Sequence, residues 1–119
     1  MIKLTVNEVP PSNNKYMGNS NSYHIYRNDK KLWQQIIGYS ANGKIPKKPF
    51  KKAEVTITYY FPTKHRRDPD NYSGKLILDP LVRCGILEDD SFSNIVNLNL
   101  NGKYDKDNPR TEIIVKEVS

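Results

Sequence analysis

The chain has 119 residues, which is enough for one hydrophobic core but too short for two, so we expect a single domain over residues 1–119. A hydrophobic content of 36% excludes a disordered chain, and one cysteine, Cys84, excludes a disulfide framework or a multi-cysteine zinc site. Nineteen Lys and Arg against 13 Asp and Glu give a net charge of +6, which favours polyanionic partners, nucleic acid above all.

The first half of the chain predicts two strands that flank a long helix. Residues 2 to 9 alternate in polarity and end at a pair of prolines, which is typical of a strand that stops there. Residues 22 to 41 gather large apolar side chains on one helical face, with charged side chains directed away from it. A basic connector that contains Lys47 and Lys48 then leads to a second alternating strand at residues 53 to 61.

A second helix is predicted from the spacing of Ile77 and Leu81, and Pro80 complicates it. A proline inside a helix removes one backbone hydrogen bond and crowds the carbonyl four residues earlier. We therefore expect either a kink or a new helix start, with Asp79 as the N-cap and Pro80 in the first position. Gly85 is placed to end this helix.

Two further strands are predicted at residues 95 to 100 and 111 to 118, with a turn rich in Asp and Asn between them. The resulting order, βαβαββ, indicates an α+β domain with a small mixed sheet of about four strands and two main helices. No stretch has the long apolar run of a signal peptide or a transmembrane helix. We therefore expect no membrane association and a cytoplasmic location.

The charges are unevenly distributed along the chain. Residues 1–67 contain 13 basic and three acidic side chains, whereas residues 68–119 contain six basic and ten acidic ones. A basic half can hold phosphates while an acidic cluster in the other half holds cations, as a metal-dependent nuclease requires. The alternative is that the lysine-rich loops are only solvated surface.

Two carboxylates, Asp68 and Asp70, flank Pro69 directly after a basic loop. The residue before a proline favours extended geometry, so two acids two positions apart can project to the same side. Mg²⁺ prefers oxygen ligands, needs few protein carboxylates and keeps several waters that can act as nucleophile. A third acid would come from Asp90 or Asp89, in the loop after the second helix. The alternative is an ordinary turn in which Asp70 caps the helix and the acids are merely solvated.

Lys75 has two interpretations. Lys75 and Asp79 are four residues apart on the predicted helix, where they could form an exposed ion pair worth a few tenths of a kcal/mol. If Asp70 caps the same helix, Lys75 instead lies about one turn from the metal site. Its ammonium could then stabilise the charge that develops on a scissile phosphate.

With these residues in their order, the chain resembles the RusA family of Holliday junction resolvases, small phage and prophage endonucleases that cut four-way DNA junctions. The match covers about 80 of the 119 residues and comprises several separate motifs. They are a Pro-Pro-Ser-Asn-Asn run at residues 10–14, the run Arg67-Asp68-Pro69-Asp70-Asn71, Lys75, Asp79 with Leu81, Gly85, and Asp89-Asp90.

The resemblance implies a homodimer that binds a four-way junction and nicks two opposed strands symmetrically, in DNA recombination and repair. Each subunit would hold one Mg²⁺ site, for which Mn²⁺ can substitute, and metal-activated water would cleave without a covalent intermediate. By position, Asp68, Asp70 and Asp90 correspond to the family's metal-binding acids and Lys75 to its catalytic lysine. Asp89 is the alternate third ligand.

One spacing departs from the family pattern, in which the lysine follows the second acid by four residues. Here Lys75 follows Asp70 by five, and we expect a one-residue bulge before the helix, eased by Gly74. Two other functions stay open: a nuclease for other branched DNA, and a DNA-binding module without catalysis. The residues expected to contact DNA are Asn13, Asn14, Lys47, Lys48, Lys64, Arg66 and Arg67.

Overall fold

The computed structural model describes residues 1–18 and 20–119 and has the predicted element order, βαβαββ. Two helices pack against one mixed sheet of four strands, so the predicted α+β fold class is confirmed. The strands are β1 (Ile2–Val6), β2 (Ala53–Phe61), β3 (Ile95–Tyr104) and β4 (Arg110–Glu117), and the helices are α1 (Ser22–Ser40) and α2 (Lys75–Arg83). In the part of the chain that is described, no helix is long and apolar enough to cross a membrane.

The strands lie in the order β1-β4-β2-β3. Strand β4 is antiparallel to both of its neighbours, whereas β2 and β3 are parallel. Parallel neighbours need a crossover connection, because the chain must return to the end of the sheet where the first strand began before it can start the second strand. Helix α2 provides that crossover, and the whole connection spans residues 62–94.

The hydrophobic core lies between the helices and one face of the sheet. Val55 and Ile57 of β2 are fully buried, while the alternate side chain Thr58 faces the other, more polar side. Helix α1 adds Trp33 and helix α2 adds Ile77, both at most 3% exposed, to the same cluster. This packing fixes α2, and the loops at its two ends, against the sheet.

Helix α2 continues through Pro80, so the predicted restart at this residue is wrong. Pro80 is fully buried in the core, and burial of its ring compensates for the one helical hydrogen bond that it cannot donate. The helix ends at Arg83, and Gly85, which has a φ of 96°, terminates it as predicted. The Ile86 N–H donates to the Leu81 carbonyl at 3.0 Å, and the Gly85 N–H to the Val82 carbonyl at 3.1 Å, which together form a Schellman motif.

Two strand boundaries also differ from prediction. Strand β1 ends at Val6 and not at residue 9, and β3 continues past residue 100 to Tyr104. The continuation follows from the parallel pairing, which runs in register up to Phe61 opposite Tyr104. Gly102 suits this stretch because a Cβ there would lie only 3.4 Å from the Phe61 ring.

Candidate active site

Asp68 and Asp70 lie in one short 3₁₀ turn, here called the acid turn (residues 68–71), between β2 and α2. Asp68 has the extended geometry expected before a proline, with φ −107° and ψ 140°. The turn is closed by the Asn71 N–H, which donates to the Asp68 carbonyl at 3.0 Å. Gly74, and not Asp70, occupies the cap position of α2, so the alternative in which Asp70 caps this helix is wrong.

Both carboxylates of the acid turn are accessible from solvent. Asp70 is exposed, and the Asp68 side chain is 49% exposed. The Arg66 Nε lies 3.3 Å from the Asp68 Oδ1, but Arg66 is 89% exposed, so this ion pair contributes little to stability. On its inner side Asp68 lines a small cleft with Tyr59 and Tyr72.

Arg67 and Lys64 belong to the basic loop before the acid turn and have protein partners. The Arg67 guanidinium lies over the Phe61 ring at 4.3 Å and donates to the carbonyls of Thr63 and His65 at 3.0 and 3.1 Å. The Lys64 ammonium lies 5.0 Å from the centre of the Tyr104 ring. Arg67 therefore holds the loop together, whereas Arg66 projects into solvent.

Asp89 and Asp90 lie in the loop after α2, and both are exposed. The Asp90 N–H donates to the Asp89 Oδ1 at 2.9 Å, so one of the Asp89 oxygens is engaged within the loop. Asp90 lines a second cleft together with Leu78, a residue that also lies beside Gly74 at the start of α2. The Asp90 loop therefore shares this cleft with Leu78 in the first turn of the helix.

In residues 1–18 and 20–119, no group of three or more His, Cys, Asp or Glu side chains is close enough to hold a metal ion. The structure thus does not gather Asp68, Asp70 and Asp90 around one point, and their joint role as metal ligands stays a prediction. The chemistry of the acid turn does fit Mg²⁺, because this ion usually takes one or two protein carboxylates and completes its shell with water. Asp68 and Asp70 can supply those two.

Lys75 is the first residue of α2, is exposed, and directs its ammonium at the ring of Tyr26 on α1, 4.8 Å from the ring centre. The predicted ion pair between Lys75 and Asp79 is not formed. Asp79 instead accepts hydrogen bonds from Arg83 at 3.0 Å and from Gln34 at 3.3 Å. No local sequence pattern indicates this contact, because Tyr26 and Lys75 lie 49 positions apart in the chain.

Burial alone would raise the pKa of the Asp79 carboxyl, but the hydrogen bonds from Arg83 and Gln34 outweigh it and hold the pKa below its usual value. The Lys30 ammonium, 3.8 Å away, acts in the same direction. Asp79 is therefore an ionised acid surrounded by donors from both helices.

The two asparagines that were expected to bind DNA differ in their surroundings. The Asn13 Nδ2 donates to the Asp70 carbonyl at 3.2 Å and to the Ser73 Oγ at 3.1 Å. Asn14 is exposed, and its backbone N–H donates to the Ser12 Oγ. The sequence pattern gave no signal for this role of Ser73. Lys47 and Lys48 are exposed in the connector after α1.

The family model described as Endodeoxyribonuclease RusA matches residues 8–116, which include both helices, the acid turn and the Asp90 loop. A search of curated proteins found no match. The resemblance inferred from the sequence is confirmed, because the match extends over most of the 119 residues. The chain belongs to the RusA family of endodeoxyribonucleases.

Proposed function

We propose that the chain is a Mg²⁺-dependent endonuclease that resolves Holliday junctions by paired, symmetric nicks, with each subunit of a homodimer cutting one strand. The observation that supports this most directly is the pair of accessible carboxylates, Asp68 and Asp70, in one turn that precedes Lys75 in the chain, in a member of an endodeoxyribonuclease family. A two-fold dimer suits the substrate, because a four-way junction offers two equivalent strands.

The acidic residues would hold the ion and orient the scissile phosphate. A bound Mg²⁺ supplies an activated water and neutralises charge on the phosphate. Asp68 and Asp70 are the primary ligands in this proposal. Asp90 is preferred to Asp89 as the third ligand, because one Asp89 oxygen already accepts the Asp90 N–H. Mn²⁺ should substitute, since it also takes carboxylate and water ligands.

Lys75 would act through its positive charge. Contact with the Tyr26 ring restricts its ammonium without neutralising it, so the cation stays available to stabilise charge on the phosphate. The basic loop and the connector after α1 would hold the DNA arms. In that role Lys47, Lys48, Lys64 and Arg66 bind phosphates, which carry no sequence information.

The test is cleavage, in Mg²⁺, of a four-way junction, a flap and a linear duplex of matched sequence. We expect paired nicks confined to the junction. Asp70→Asn should lower the cleavage rate at least about 100-fold while junction binding stays equal or tightens, because one negative charge beside phosphate is removed. Glu117→Gln is the matched control, since it removes one exposed negative charge at the end of β4 that pairs with the beginning of β2, away from the acid turn.

The other results distinguish the alternatives. Equal cleavage of flap and junction would identify a nuclease for branched DNA in general. Junction binding without any Mg²⁺-dependent cleavage by the wild type would identify a DNA-binding module. If Asp70→Asn cleaves as fast as Glu117→Gln, the acid turn is not the metal site. Comparing Asp90→Asn with Asp89→Asn then decides between the two candidates for the third ligand.

A further inference from the structure

Helices α1 and α2 meet along a strip of surface where basic side chains outnumber acidic ones. Lys75, at the start of α2, contacts Tyr26 of α1, and the later residue Asp79 contacts Lys30 and Gln34, which also come later in α1. The two helices therefore run side by side in the same direction. A groove on this strip is lined by Tyr23, Tyr26, Arg27, Lys30, Lys31, Gln34 and Arg83. We call it the α1–α2 groove.

The charge of this groove is strongly positive. Arg27, Lys30, Lys31 and Arg83 line it, and Lys75 stands at one end beside Tyr26. Asp79 contacts two of these cations: it accepts a hydrogen bond from Arg83, as well as one from Gln34, and it lies 3.8 Å from Lys30. Arg27 and Lys31 are exposed. The groove therefore presents surplus positive charge that the contacts with Asp79 do not neutralise.

We propose that the α1–α2 groove binds the sugar-phosphate backbone of the DNA strand that passes the acid turn. Helix α2 rises about 12 Å from Lys75 to Arg83, so the groove is long enough to follow more than one phosphate of a single strand. This inference rests on the proposed function, and it adds a surface on the helices to the basic loops assigned from the sequence.

The test removes charge from the groove without touching its ion pairs. The double variant Arg27→Ala/Lys31→Ala leaves the Lys30 and Arg83 contacts with Asp79 in place. The control is Lys3→Ala/Lys116→Ala, which removes the same charge from the opposite face of the sheet. Binding to a four-way junction is measured in EDTA, without cleavage, at several salt concentrations.

We expect the groove variant to bind the junction about tenfold or more weakly at ~0.1 M salt. The negative slope of log K, the association constant, against log[salt] should become shallower by up to about 1.8, which is ~0.9 for each lost phosphate contact. The control should stay within about threefold of the wild type. Equal affinity and slope for the two variants would overturn the proposal. Because no cleavage is read, a failure of the nuclease assignment does not produce this result.

A second, independent observation concerns Asn13, which connects the N-terminal part of the chain to the acid turn. Its amide donates to the Asp70 carbonyl and to Ser73, which lie 57 and 60 positions later in the chain. The acid turn has few bonds of its own: the Asn71 and Tyr72 amides close it, and Asp68 makes no side-chain cap.

Asn13 is itself well anchored. It begins a 3₁₀ turn, Asn13–Tyr16, in which the Ser12 Oγ accepts the Asn14 N–H. This turn is fastened to α1, because Lys15 and Tyr16 both donate to the Asp29 Oδ2 at 2.8 Å. A continuous set of polar contacts therefore runs from α1 to the backbone of Asp70.

We infer that Asn13 is a positioning residue for the acid turn and does not itself contact DNA. In the proposed function it fixes the backbone from which the Asp70 carboxylate reaches a cation. Loss of such supporting hydrogen bonds commonly costs 10–100-fold in metal affinity or activity. Asn13→Ala should therefore lower kcat by about that factor and raise the Mg²⁺ concentration needed for half-maximal rate, with junction affinity unchanged.

Two further measurements make the inference falsifiable. Amide hydrogen exchange at Asn71 and Tyr72, without metal or DNA, should be faster in Asn13→Ala than in wild type, whereas the exposed neighbour variant Asn14→Ala should match wild type. Mn²⁺ titration of the free protein should show weaker binding only for Asn13→Ala. Unchanged exchange at both amides, or loss of junction binding with an unchanged kcat, would refute a positioning role. The exchange readout does not depend on whether the chain cleaves DNA.

Discussion

Replacing Gly74 with alanine tests how the acid turn is joined to α2. Gly74 has a φ of 87°, a left-handed conformation that costs an L residue about 1–2 kcal/mol. A Cβ at this position would also lie 3.0 Å from the Cδ1 of Ile57, which is fully buried in the central strand β2. Crowding of a packed core adds about 1 kcal/mol. We therefore expect Gly74→Ala to lower the free energy of unfolding by about 2–3 kcal/mol.

The assay is urea unfolding followed by the fluorescence of Trp33, the single tryptophan, which is 3% exposed in the folded chain. For a chain of this size the loss corresponds to a fall in Tm of roughly 6–15 °C. Gly38→Ala is the matched control. It lies inside α1 and has nothing within 4 Å of its added Cβ, so it should stabilise the chain by about 0.5–1 kcal/mol. The reasoning is refuted if both variants shift stability in the same direction.

Three further outcomes concern single buried or paired groups. The Tyr59 hydroxyl is buried beside the Gly74 backbone and makes no hydrogen bond of good geometry with the described residues, so Tyr59→Phe should leave the free energy of unfolding unchanged or raise it by up to about 1 kcal/mol. A clear loss of stability in urea unfolding would contradict this. Burial raises the pKa of Tyr59 and of Tyr16, where Asp29 adds to the effect, so folding stability should be full below about pH 10 and fall as the pH rises. Tyr59→Phe should make that alkaline decline, measured between pH 9 and 11.5, less steep. The lowered pKa of Asp79 means that its stabilising contacts are present above about pH 4 and are lost in acid, and Asp79→Asn should flatten the acid side of the stability profile.

The order of the elements could be predicted because each has its own periodicity. Strand β2 alternates buried and half-buried residues from Ala53 to Phe61, and the predicted and observed bounds agree. Strand β3 was predicted too short, because Gly102 and the asparagines before it suggest a turn. Pairing with β2 overrides that local preference. The pairing depends on a strand more than 30 residues earlier in the chain, so it leaves no local signal in the sequence.

The chemical part of the site was partly visible in the sequence. The geometry around Asp68 follows from the proline after it, which is a local rule. The link from Asn13 to Asp70, and the contact between Lys75 and Tyr26, join residues 57 and 49 positions apart. Such contacts exist only after the helices have packed on the sheet, so spacing along the chain cannot reveal them.

The crossover between β2 and β3 has a consequence for how this chain tolerates insertions and deletions. The acid turn, Lys75 and the Asp90 loop all fall within the single connection of residues 62–94. A residue added or removed there changes the position of one acid relative to another. A change in the length of the turn between β3 and β4 does not alter those relative positions. The extra residue expected between Asp70 and Lys75 would fall in the stretch of residues 72–74, which ends at Gly74 in a left-handed conformation directly before α2 begins.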